Sequence, residues 1–141
     1  MSRTYISVAL RQLVDERAQN CCEYCLIPEM AVLFVHQVDH IIAEKHGGAT
    51  DADNLALACV ICNKYKGSDI ASIDVETNDV VRLYHPRRDV WREHFALSDA
   101  KILPLSAVGR VTANLLQLNR AERIAERKLL IDAGVINEMK S

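Results

Sequence analysis

Two Cys-x-x-Cys pairs, "CEYC" at residues 22–25 and "CVIC" at 59–62, stand 33 residues apart in the chain. No other feature constrains the fold as much. In a reducing compartment this paired spacing argues for thiolates on a metal ion and against a disulfide framework. Cys22, Cys25, Cys59 and Cys62 can fill all four positions of a tetrahedral Zn²⁺, leaving none open for chemistry. The ion is then a clamp, and the segment between the pairs is a loop with fixed ends. A redox dithiol is the rival for a lone Cys-x-x-Cys, but two pairs favour zinc. The fifth cysteine, Cys21, is expected as a small buried hydrophobe rather than as a replacement ligand for Cys22.

A chain of 141 residues, half of them hydrophobic, is long enough for one domain with a modest core. We expect a single domain over 1–141, with a core at 20–67 and an extension at 68–141. No apolar run reaches the roughly 18 to 20 residues of a membrane span, and the N-terminal stretch lacks a signal-like apolar segment. The expectation is a cytoplasmic protein without a membrane partner. "SVALRQLVDERAQN" has helical spacing, with Ser7 as N-cap and Asn20 as a stop. "AVLFVHQVDH" reads as a strand ending near Asp39, "HGGATDADN" as turn chemistry, and "ALACVICNKYKG" as a short strand or loop passing into a helix. "DVETNDVVRLYHPRR" predicts a hairpin turning at Thr77 to Asp79, and two helices follow, around Val111 to Leu118 and from Arg120 to about Ala133. Gly134 ends the second.

Net charge is −2, yet the charges are unevenly spread. Residues 20–67 hold three basic against six acidic side chains, and residues 80–128 hold ten basic against five acidic. Such a basic segment could supply the phosphate-neutralising surface that an acidic core lacks, or it could be an exposed face on which Glu122 and Glu126 pair with neighbouring arginines. Trp91 and Phe95 are expected to pack in the core rather than stack on bases.

In order and in type, "CEYC", "VDHII", "HGG", "DNLALAC" and "CNKYKG" resemble the HNH endonucleases, a likeness carried by residues 22–67. "LYHPRRDVWREHF" and "GRVTANLLQLNR" resemble, more loosely, the tail of small bacterial HNH proteins. The resemblance implies an α+β fold with a ββα-metal (His-Me finger) core, a structural zinc, an N-terminal helix and a C-terminal hairpin plus helices. It also implies a site. Asp39 and Asn63 match the metal ligands, and Asn54 matches the region that orients the catalytic histidine. One carboxylate and one amide oxygen suit a hard cation, Mg²⁺ or Mn²⁺.

Hydrolysis of a phosphodiester needs an activated water, relief of charge on the phosphate, and stabilisation of the leaving 3′ oxygen. His40 suits the first task, since a neutral imidazole accepts a proton best when its other nitrogen is fixed. Adjacent strand residues point to opposite faces, so Asp39 and His40 converge only if the strand ends or distorts between them and the glycines. Asn63 is placed at the opening of its helix, with the positive dipole end toward the same phosphate. Lys66, one turn on, is expected to contact phosphate, as are His46, Arg87 and Arg88. Glu44 is a candidate supporting group, and His36, roughly 13 Å along the strand from His40, is assigned to packing or a nucleic-acid contact.

The expected activity is metal-dependent cleavage of nucleic acid, double-stranded DNA above all, giving 5′-phosphate and 3′-hydroxyl ends by the resemblance. The alternative is a non-catalytic zinc module binding DNA or protein. Target sequence, DNA against RNA, partner proteins and oligomeric state are left open by spacing alone.

Overall fold

The computed structural model describes residues 5–136. It divides into two compact units, Met1–Asp69 and Ile70–Ser141. Among the described residues no helix is long and apolar enough to cross a membrane.

The first unit opens with helix α1, Val8–Arg17, whose Ser7 N-cap accepts the Leu10 amide at 3.1 Å as its sequence predicted. Strands β1 (Gln37–His40) and β2 (Leu55–Ala58) form an antiparallel hairpin with His40 opposite Leu55 and Asp39 opposite Ala56. Helix α2, Val60–Lys66, follows at once. The order is ββα. Side chains alternate across β2, so Leu55 and Leu57 bury against Val14 of α1, with Leu10, Ala18 and Val38 packed around them. Ala56 and Ala58 take the other face, where small side chains let α2 approach closely. The strand expected over residues 31–40 is shorter than its β-branched composition suggested. Glu29–Ala31 is a 3₁₀ turn, and the carboxylate of Glu29 takes the His36 amide at 2.6 Å, a bond that a strand partner would otherwise make.

In the second unit β3 (Ala71–Ile73) pairs with β4 (Val80–Arg82), and Asn78 turns the hairpin at φ +63°. A short helix α3, Trp91–His94, leads into a further antiparallel hairpin of β5 (Phe95–Ser98) and β6 (Lys101–Pro104). Helices α4 (Ala107–Leu115) and α5 (Ala121–Asp132) complete the unit, and Gly134 follows α5 at φ +76°. The Asp74 carboxylate, buried at the β3–β4 turn, takes both arms of Arg110 from α4 at 3.1 and 2.8 Å. That ion pair holds Asp74 down to about 2. Tyr84, Trp91 and Phe95 pack ring to ring, with Phe95 contacting Tyr84 at 5.4 Å and Trp91 at 5.1 Å between centroids. Phe95 is buried in the core as expected, whereas Trp91 is only partly buried against it.

Candidate active site and metal centre

The thiolate clamp is built by local backbone geometry. In the first knuckle Leu26 adopts φ +72° and donates to the Cys22 carbonyl at 3.0 Å, while Cys22 donates back to Ile27 at 2.9 Å. In the second, Cys59 is the N-cap of α2 and its sulfur accepts the Cys62 amide at 3.3 Å. All four sulfurs are buried and lie within 4.8 Å of one another, with Cys25 and Cys59 at 3.7 Å. A tetrahedron with Zn–S bonds of about 2.3 Å has S···S edges of about 3.8 Å, so these residues are positioned for a zinc ion. Burial pushes the Cys22 and Cys62 thiols well up, and a bound cation would supply the charge that favours their thiolate form. Cys21 stays outside this cluster and is only partly buried.

The clamp reaches Asp39 through one residue. Tyr24, between the first two cysteines, is buried and donates its hydroxyl to Asp39 Oδ2 at 3.0 Å. Asp39 also meets Lys66 Nζ at 3.2 and 3.3 Å, with both side chains almost wholly buried. Burial pushes the Asp39 carboxyl above the ordinary carboxylate range, although Lys66, Tyr24 and the nearby His40 all pull the other way. An ionised carboxylate offers about four lone-pair positions, so three bonds leave about one for a cation.

His40 is the last residue of β1, and that position answers the alternation problem. Past the end of β1 the chain turns away, and a cleft of about 520 Å³ is lined by Asp39, His40 and Asn63 together with Glu44, Gly67 and Ser68. His40 Nε2 lies 2.8 Å from Thr50 Oγ1. Asn63 bonds the Gln37 side chain through its own amide nitrogen, which turns its carbonyl oxygen away from Gln37.

Three expectations are corrected here. Asn54 makes no hydrogen bond to the His40 ring. Its amide instead donates to the carbonyls of Ile42 and Ala49 at 2.9 and 2.8 Å and accepts from the Ile42 amide at 2.9 Å, acting as one extra rung on the ladder past Leu55. Lys66 does not face solvent phosphate, because its ammonium is spent on Asp39 and on the His40 carbonyl at 3.2 Å. Asn63 sits in the middle of α2, and the N-terminus of that helix is capped by Cys59. Of the two readings left open for the basic segment, the pairing of its charges is the one seen for several members. Arg82, Arg110, Arg120 and Lys128 pair with Asp89, Asp74, Glu122 and Asp132, and Arg123 and Arg127 are buried. Arg88 and Arg92 remain exposed and Arg87 is half-buried.

His36 is fully buried with Nε2 on the Ile27 carbonyl at 2.8 Å, which assigns it to packing. His46 is exposed, and its Nε2 reaches the Ser68 carbonyl at 3.1 Å. Sequence reading missed Tyr24 and Thr50. The first lay hidden as a spacer between ligands, the second as one more polar residue in a turn.

Fold and site together define a cysteine-clamped ββα unit with a carboxylate, an imidazole and an amide on one cleft. The model of the HNH endonuclease family matches residues 22–69, about a third of the chain, so this segment is similar to an HNH nuclease domain. No curated protein and no solved structure matches the chain.

Proposed function

We propose that the protein is a metal-dependent endonuclease that hydrolyses phosphodiester bonds in double-stranded DNA. The observation that carries this reading is the meeting of Asp39, His40 and Asn63 on one cleft beside the thiolate clamp. His40 takes the proton of the attacking water, with Thr50 holding the far side of its ring. Asp39 and the amide oxygen of Asn63 hold a divalent cation, Mg²⁺ or Mn²⁺, which when bound supplies Lewis-acid relief of phosphate charge. Lys66 and Tyr24 keep the Asp39 carboxylate in place from within the protein. Asn54 serves at one remove, by holding the loop that follows β1. Arg88, with Arg87 and His46, contacts the DNA backbone, and the products carry 5′-phosphate and 3′-hydroxyl ends.

Supercoiled plasmid incubated with Mg²⁺ or Mn²⁺ tests the proposal. Wild type is expected to nick it, and His40→Ala to be slower by about 10²- to 10⁴-fold with zinc content unchanged. Nicking by neither protein would favour a non-catalytic zinc module that binds DNA or a protein partner.

A further inference from the structure

We propose that the His85 side chain is an acid-released clasp on the turn that carries Arg87 and Arg88: neutral, it holds the turn closed, and protonated at Nδ1 it lets go. The turn lies between β4 and α3, within the second unit, and the proposal is independent of the nuclease reading. His85 Nδ1 accepts the backbone amides of Arg87 and Arg88, each at 3.2 Å. A backbone amide only donates, so the direction of both bonds is fixed and Nδ1 holds a lone pair. The one proton of the neutral ring is therefore on Nε2.

The backbone of His85 is engaged as well. Its amide donates to Asp89 Oδ2 at 2.8 Å, and its carbonyl accepts from the Arg88 and Asp89 amides at 3.1 and 2.9 Å. Pro86 fixes φ at about −65° in the second position, which such turns favour. A second proton on the ring would point an N–H at two other N–H groups, so protonation and the closed turn are alternatives. His85 is only 8% exposed, and a charged ring would gain little hydration to offset the lost bonds. The charges around the ring are divided. Arg88 and Arg82 oppose a charged imidazole, and Asp89, held by Arg82 at 2.7 and 3.0 Å, favours one. His94 Nε2 lies 3.8 Å from Asp89 Oδ1 and draws on the same carboxylate. Burial is the largest influence, and with the arginines it lowers the pKa of His85 below the ordinary 6.5.

The test compares the full zinc-loaded chain with His85→Asn, whose Oδ1 is bonded to Cγ as Nδ1 is and accepts amides without titrating, and with His85→Leu, which has no acceptor. Long-range ¹⁵N–¹H correlations of the His85 ring, assigned with the variants, and exchange protection factors of the Arg87 and Arg88 amides are followed from about pH 8 to about pH 5, a range spanning the ordinary histidine pKa. Wild type should show an Nε2–H ring at the upper end. As the ring becomes charged, protection at Arg87 should fall about 2- to 10-fold in step with it, the loss of one net hydrogen bond. Arg88 keeps the His85 carbonyl as a second acceptor and should change less. His85→Asn should hold Arg87 protection across the whole range, and His85→Leu should lack it throughout. An Nδ1–H ring at the upper end, a ring still neutral at the lower end, a charged ring with Arg87 still protected, or the wild-type pH dependence in His85→Asn overturns the proposal. Because wild type and His85→Asn carry the comparison, it holds even where His85→Leu fails to fold.

Discussion

Asp39 is expensive to bury, and Lys66 is what offsets the cost. Removing the cation of a buried ion pair leaves a charge without solvent or partner, typically at about 3–5 kcal/mol. Lys66→Met should therefore lower stability of the zinc-loaded protein by about that amount in urea denaturation, and a loss below about 1 kcal/mol would show the pair is dispensable. Asp74 makes a prediction of the opposite electrostatic kind. Its folded value, about 2, lies below the 3.8 of a free aspartate, so the stability it contributes is full above the unfolded value and is lost as pH falls from about 4 through 2. Asp74→Asn should flatten the acid limb of an unfolding titration in that window. An unchanged limb would mean Arg110 does not stabilise the charge. That Asp39, His40 and Asn63 would line one cleft was legible in the sequence, because motif order names them together. The bonds Tyr24 and Lys66 make to Asp39 were not, because each depends on a partner 15 or 27 residues away that only the folded chain supplies.

At the scale of elements, the loop between β1 and β2 is the part of the site with the narrowest tolerance. Asn54→Ala removes three hydrogen bonds to Ile42 and Ala49, each worth about 0.5–1.5 kcal/mol net. Hydrogen exchange should consequently speed up at the Ile42 amide while the amides of α1 keep wild-type protection. Equal protection at Ile42 would mean the backbone holds the loop without the side chain. Helix α1 and the β2 to α2 passage followed from the Ser7 cap and the apolar run, and the turn at Asn78 was legible although β3 lies upstream of the stretch expected to form the hairpin. The β5–β6 hairpin did not. Its turn is Asp99-Ala100, both at positive φ, and alanine gives no sign that such a conformation is coming. Trp91 and Phe95, spaced like helix neighbours, straddle the end of the four-residue α3 instead. The early end of β1 was equally hidden, since "AVLFV" has strand composition but leaves Leu33, Phe34 and Val35 exposed.

For the whole molecule, the clamp is the expected weak point of the first unit. Four buried sulfurs within 4.8 Å of one another are positioned for a cation, and zinc bound there would contribute to the folding free energy of that unit. A strong chelator should release about one zinc per chain and raise amide exchange over residues 22–69, with protection in 70–136 largely kept. Simultaneous loss in both would show that the two units fold as one. Charge distribution was the least reliable guide at this scale, because counting residues 80–128 cannot tell Arg127, buried on the Ala100 and Leu118 carbonyls, from Arg88 in solvent. The central claim is that one cleft gathers a carboxylate and an amide around a second cation, apart from the zinc. Anomalous diffraction from crystals soaked in Mn²⁺ addresses it directly. The account predicts a manganese peak bonded to the Asp39 carboxylate and the Asn63 amide oxygen with zinc still on its four sulfurs, and manganese bound elsewhere, or excluded from the cleft by Lys66, would contradict it.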